Sequence, residues 1–103
     1  MIGQFVLHAK QEMFAFETIT VSNAAIGPSA ATAFPGSSPA TYGLFSVETD
    51  NVRFRVDGAS PTASVGHLLL PNQNVEIFGA ENLKNLKFIR TNGDATIQAS
   101  YGK

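Results

Sequence analysis

The side chains that could act as bases or metal ligands are few and widely spaced in this chain. His8 and His67 are the only histidines, and there is no cysteine. Zinc sites use His and Cys at close spacings such as H-x-H or H-x-x-x-H, and no such spacing occurs. We therefore expect no metal site and no catalytic histidine. His67 is expected to be a strand-end residue whose ring packs and forms hydrogen bonds locally.

Acidic residues suggest two further candidate sites, a catalytic acid pair and a calcium-binding loop. Glu48 and Asp50 lie two positions apart, so on a strand they share a face and could act as general acid and base. Solvated acids at a strand end are the more common arrangement. Asp57-Gly58 has the form of a calcium loop, but Ala, Ser, Pro, Thr, Ala and Ser follow it, which supply too few carboxylates. An enzyme would need a deep pocket holding His67 beside Glu48 or Asp50.

No recognised catalytic or phosphate-binding motif is present. The serines do not occur in G-x-S-x-G, and the glycines form neither G-x-G-x-x-G nor G-x-x-x-x-G-K-[ST]. We therefore predict that the chain is not an enzyme, has no catalytic residues and binds no cofactor.

Composition excludes several partner classes. The 103 residues are enough for one domain, spanning 1–103, and the net charge of −1 gives no general attraction to nucleic acid or anionic lipid. No run of apolar residues is long enough for a membrane span. The first ten residues, MIGQFVLHAK, lack the basic start of a signal peptide, so synthesis in a cytoplasm is expected.

Apolar residues alternate with polar ones along most of the chain, which is the period of half-buried strands. In one such strand Val52, Phe54 and Val56 point inward, and Arg53 and Arg55 point outward. The predicted strands are residues 4–9, 13–21, 41–49, 51–57, 74–79, 86–91 and 95–101. About seven or eight short strands between turn residues predict an all-β fold, an antiparallel β-sandwich, jelly-roll-like, or a small barrel.

Turn chemistry adds two local predictions. Asn92-Gly93 lies between FIRT and ATIQAS, and Asn-Gly is the preferred pair of a type I′ turn, so a β-hairpin is expected there. Residues 80–85 indicate one short helical turn.

A long segment without charge interrupts the strand pattern. No residue from Thr18 to Val47 is charged, and residues 22–43 are mostly Ala, Ser, Thr, Gly and Pro. This connection is either flexible or covered by another copy or partner, because interface cores are depleted of charge. Residues 1–10 are a possible N-terminal arm or strand. The candidate interface residues are Phe5, Ile26, Phe34, Tyr42, Arg53 and Arg55.

The segment from Ser46 to Tyr101 contains RFRVDGASPT followed by VGH, a strand ending in IFG, NLKNLKFIR, and a final strand ATIQASY. In these features it resembles a group of small bacteriophage virion proteins. They cover about half of the chain.

The resemblance implies a β-sandwich that is part of a virus particle and has no catalytic residues. A capsid decoration (cement) protein is expected, assembled as a homo-oligomer, with a trimer favoured if it occupies three-fold positions. Its partners would be the major capsid protein or other virion proteins, and its location the virion. The alternatives are a head-tail or tail accessory protein, and a binding module that presents residues 57–65 to a host glycan or receptor.

Overall fold

A computed structural model describes residues 12–36 and 38–103 of the chain. This part of the chain contains seven β-strands and two short α-helices. In chain order they are β1 Met13–Val21, α1 Ala30–Ala33, β2 Tyr42–Glu48, β3 Val52–Arg55, β4 His67–Leu69, β5 Asn74–Phe78, α2 Ala80–Asn85, β6 Lys87–Arg90 and β7 Ala95–Gly102.

The strands form two antiparallel sheets. The larger sheet has the order β1-β7-β2-β5 and the smaller sheet the order β4-β3-β6. The predicted all-β sandwich is therefore confirmed, and six of the predicted strands are found near their expected bounds. Strand β4 was not among the predicted strands, and the predicted strand at residues 4–9 and the arm at 1–10 lie outside the described residues.

Alternation of side chains builds the core between the sheets. In β7, Ala95, Ile97, Ala99 and Tyr101 are all buried. Four aromatic rings join the layers: the Phe45 and Phe88 rings are 5.5 Å apart, the Phe45 and Tyr101 rings 5.9 Å, and the Phe54 and Phe88 rings 6.1 Å. Phe45 and Tyr101 belong to the larger sheet and the other two to the smaller sheet, so this cluster closes the sandwich.

The predicted hairpin at Asn92-Gly93 is wrong. Strand β6 pairs with β3, whereas β7 pairs with β1 and β2. Neither Asn92 nor Gly93 has the positive φ that a type I′ turn requires. Instead, the Gly93 N–H donates to Asp50 Oδ2 at 3.1 Å. The segment therefore carries the chain from one sheet to the other, which lets both β6 and β7 bury residues in the shared core.

The uncharged connection contacts the body of the sandwich through its described residues. Ile26 and Phe88 exchange two backbone hydrogen bonds, of 2.9 and 2.7 Å, beside β6. Ala33 in α1 and Ala40 just before β2 are fully buried. The small side chains of this segment therefore allow close packing of the backbone against the sheets.

Candidate functional site

The loop between β3 and β4 is held to the smaller sheet by Arg53. Its guanidinium donates from Nε to the Ala63 carbonyl at 3.2 Å and from Nη1 to the Gly66 carbonyl at 2.9 Å. Pro61, in the middle of the loop, is fully buried. The loop is therefore a packed corner, stabilised by a side chain from the strand that precedes it.

A groove of about 410 Å³ opens between the end of β3 and the start of β4. It is lined by Arg55, Val56, Asp57, Val65, Gly66 and His67. The His67 side chain is exposed, and its ring lies 5.2 Å from the Phe54 ring. The groove thus combines an aromatic contact, two valines and one ion pair.

The ion pair of the groove is local and exposed. Arg55 donates from Nε and Nη2 to the two carboxylate oxygens of Asp57, at 3.0 and 2.5 Å. These hydrogen bonds lower the pKa of Asp57 to about 2. Because both side chains are exposed, salt screens this interaction and it contributes little to the stability of the fold.

The two acids considered as a possible catalytic pair, Glu48 and Asp50, do not lie in the groove. Glu48 accepts a hydrogen bond from Gln98 Nε2 at 3.2 Å, and Asp50 accepts from the backbone N–H groups of Asn51 and Gly93. Neither residue lines the groove that contains His67. Over residues 12–36 and 38–103, no group of three or more His, Cys, Asp or Glu side chains could hold a metal ion.

Two tyrosines bind carboxylates at the edge of the core. The Tyr101 hydroxyl donates to Glu17 Oε2, which also accepts the Ser29 N–H at 2.9 Å. The Tyr42 hydroxyl donates to Glu76 Oε2 at 2.6 Å. Burial raises the pKa of both tyrosines, and the adjacent carboxylates raise it further. Both hydroxyls therefore stay protonated and act as donors at neutral pH.

The candidate interface residues occupy different environments. Ile26 is 40% exposed, Phe34 packs partly against the core, and Tyr42 is fully buried, so the Tyr42 side chain is not on the surface of the folded chain. Arg53 and Arg55 lie on the outer face of the smaller sheet, as the alternation predicted. Phe5 lies outside the described residues.

Large apolar side chains are exposed along the sheet edges. Seven of them are between 38% and 60% exposed: Phe14, Phe16, Ile26, Val65, Leu68, Leu70 and Phe78. Each lies on β1, β4 or β5, within two residues of β4, or opposite β6. These four strands are the edges of the two sheets. The sequence pattern placed Phe14 and Phe16 on one face of β1, but it did not show that this face points outward.

Charge is divided between the two sheets. The strands of the larger sheet contain three acidic residues, Glu17, Glu48 and Glu76, and no lysine or arginine. The strands of the smaller sheet contain four basic residues, Arg53, Arg55, Lys87 and Arg90, and no acid. Acidic and basic strand residues are therefore separated between the two sheets, although Arg55 and Arg90 form ion pairs with Asp57 and Asp94 in the adjoining loops.

The described part of the chain contains no helix of the length and apolar character needed to cross a membrane. No protein-family model, no curated protein and no solved structure matches the chain.

Proposed function

We propose that this chain is a non-enzymatic structural protein of a bacteriophage particle, and that it acts as a homo-oligomeric decoration (cement) protein on the capsid surface. The proposal rests on the resemblance carried by residues 46–101 and on the character of the described surface. The observation that supports it best is the set of exposed apolar side chains on and beside the edge strands.

Exposed edge strands normally carry features that prevent pairing with other chains. Natural sheets protect such edges with lysines, prolines, very short strands or bulges. Here β1 is nine residues long and has a register shift only at its start, between Met13 and Ala15. Its outward face carries Phe14 and Phe16, of which Phe16 is 60% exposed. Apolar surface of this kind is typical of contact sites. A particle component buries such surface against other copies and against the shell.

The low charge of the chain supports the same role. Only 15% of residues are charged, and the uncharged run from Thr18 to Val47 covers the second half of β1, α1 and most of β2. Cores of protein interfaces are depleted of charged residues. Oligomerisation also stabilises a domain of this size by mass action, because assembly favours the folded state. A trimer is the proposed state if the protein occupies three-fold positions of a shell.

Binding to capsids tests the proposal directly. The full-length protein is mixed with empty capsids assembled from the major capsid protein of the same genome, and bound protein is measured by co-sedimentation. We expect saturable binding and capsids that resist heating to a higher temperature. His67→Ala serves as the control variant and should bind like the unmodified chain. A monodisperse monomer that does not bind these capsids would refute the decoration role.

The groove beside His67 favours a second candidate function. A β-sandwich that binds a host-surface glycan needs an aromatic surface and polar groups to orient the sugar. His67 supplies one ring to the groove, and Arg55 and Asp57 supply polar groups. A glycan array would support this candidate if a specific signal disappeared in Asp57→Ala. An array without any signal would leave the decoration role as the better proposal.

A further inference from the structure

The outer faces of the two sheets carry opposite charge. In the smaller sheet Arg55 lies opposite Lys87 and Arg53 opposite Ile89, while the adjacent pair, Phe54 and Phe88, points into the core. Arg53, Arg55 and Lys87 therefore project outward. We name them, together with Leu68, which lies opposite Arg53 and is 47% exposed, the basic face.

The larger sheet presents the complementary surface. Glu48 and Glu76 are exposed on its outer side, and Leu44 lies directly opposite Glu76 in the β2–β5 pair. We name Leu44, Glu48 and Glu76 the acidic patch. The acidic patch thus combines a leucine with two carboxylates, and the basic face combines a leucine with two unpaired cations and the Arg55–Asp57 ion pair. An apolar residue among polar ones is the pattern of a protein interface.

Most of these charges have no ionic partner within the described part of the chain. Arg53 and Lys87 donate to backbone carbonyls, those of Ala63, Gly66 and Gly58, and not to carboxylates. Glu48 accepts from Gln98 and Glu76 from the Tyr42 hydroxyl, and among residues 12–36 and 38–103 neither carboxylate forms an ion pair. Both surfaces therefore retain charge that a complementary surface can neutralise.

We propose that the basic face of one copy binds the acidic patch of a second copy of this chain. This proposal rests on the homo-oligomeric role proposed above and identifies the surfaces that join the copies. The two surfaces belong to different sheets, so the contact is heterologous and repeats from copy to copy. Such a contact forms a closed ring when the rotation between copies closes, and an open chain when it does not.

Charge reversal on each surface tests the contact. The mass of the purified full-length protein is measured by sedimentation velocity over a range of concentration and salt. Lys87→Glu alters the basic face and Glu48→Lys the acidic patch, and each places like charges in the contact. We expect either change to weaken self-association by at least about tenfold, because like charges across an interface cost several kcal/mol. High salt should weaken association of the unmodified protein, since it screens charges beyond about 3 Å at 1 M.

Matched controls lie on α2. Glu81→Lys and Lys84→Glu produce the same changes in net charge, at side chains that are 82% and 50% exposed and lie outside both surfaces. These variants should associate like the unmodified protein. Glu48→Gln keeps an acceptor for Gln98 and serves as a second variant if Glu48→Lys does not fold, with a smaller loss expected.

Combining the two reversals gives the decisive comparison. The double variant Lys87→Glu/Glu48→Lys should associate more strongly than either single variant, because opposite charges again face each other across the contact. Association no stronger than that of the single variants would overturn the proposal, as would an unmodified protein that forms only a two-fold dimer or remains a monomer at every concentration. Capsid binding is measured separately, so a monomer that still binds capsids would refute this contact and preserve the virion role.

Discussion

The two glycines that bound the β3–β4 corner differ in what surrounds them, and this difference makes their substitution informative. Gly58 has a φ of +88° and Gly66 a φ of +135°, both in the region that L-amino acids rarely adopt. A Cβ at position 58 would contact only the Asn85 side chain, at 3.6 Å. A Cβ at position 66 would lie 3.1 Å from the Phe54 carbonyl oxygen, 3.1 Å from Pro61 Cβ and 3.2 Å from Arg53 Cβ.

The expected losses of stability follow from these surroundings. Gly58→Ala introduces backbone strain alone, which costs about 1–2 kcal/mol. Gly66→Ala introduces at least as much strain, because its φ is further from the left-handed region that alanine can adopt. It also forces apart atoms that cannot move without shifting β3 or the loop, and such overpacking costs about 1–3 kcal/mol more. For a domain of this size 1 kcal/mol corresponds to roughly 4–8 °C in Tm. The Gly66→Ala variant should therefore have a clearly lower Tm than the Gly58→Ala variant.

Thermal and urea unfolding, followed by circular dichroism, measure both changes. Gly58→Asn is the matched control, because asparagine tolerates positive φ better than other residues, and its loss should be smaller than that of Gly58→Ala. Gly58→Val should be the most destabilising change at that position, since a β-branched residue tolerates positive φ least. If Gly66→Ala were no less stable than Gly58→Ala, the close packing of Gly66 against β3 and Pro61 would be refuted.

Three further predictions concern the core and the groove. Tyr101→Phe should lower the free energy of unfolding by about 1.5–3 kcal/mol, because it removes the hydroxyl that donates to the Glu17 carboxylate. In a Glu17→Gln background the same substitution should cost less, which a double-mutant cycle in urea measures. NMR titration should give Asp57 a pKa of about 2, rising toward 3.8 in Arg55→Gln. The pKa of Asp57 is lower in the folded chain than in the unfolded chain. The Arg55–Asp57 interaction therefore stabilises the fold above pH 3.8, and this stabilisation is lost as the pH falls toward 2. Phe88→Ala should cost about 3–5 kcal/mol in denaturant unfolding, because it opens a cavity between the sheets.

Local patterns predicted the strands but not the way they assemble. The alternation in residues 95–101 identified both the strand and its buried face, because side-chain period depends on the backbone alone. The Asn92-Gly93 pair indicated a turn, yet it carried no information about which sheet each flanking strand would join. That choice involves contacts with residues far away in the sequence, such as the hydrogen bond from the Gly93 N–H to the Asp50 carboxylate.

The surfaces were harder to predict for the same reason. His67 and Arg55 were each considered separately, and only the antiparallel pairing of β3 with β4 brings them to one groove. The separation of charge between the sheets is likewise invisible in a net charge of −1. It arises because the strands containing Glu48 and Glu76 join one sheet while those containing Arg53 and Lys87 join the other.

The position of β7 within the larger sheet has a consequence for biosynthesis. This strand lies between β1 and β2, pairing with both, and it follows every other described strand in the chain. Strands β1 and β2 therefore leave the ribosome well before the strand that joins them. Met13, for example, can pair with Gly102 only after Gly102 has been synthesised. During that interval the exposed aromatic side chains of β1 are available to chaperones or to neighbouring nascent chains. Pairings between distant residues also fold slowly, so this period of exposure should be long for so small a domain.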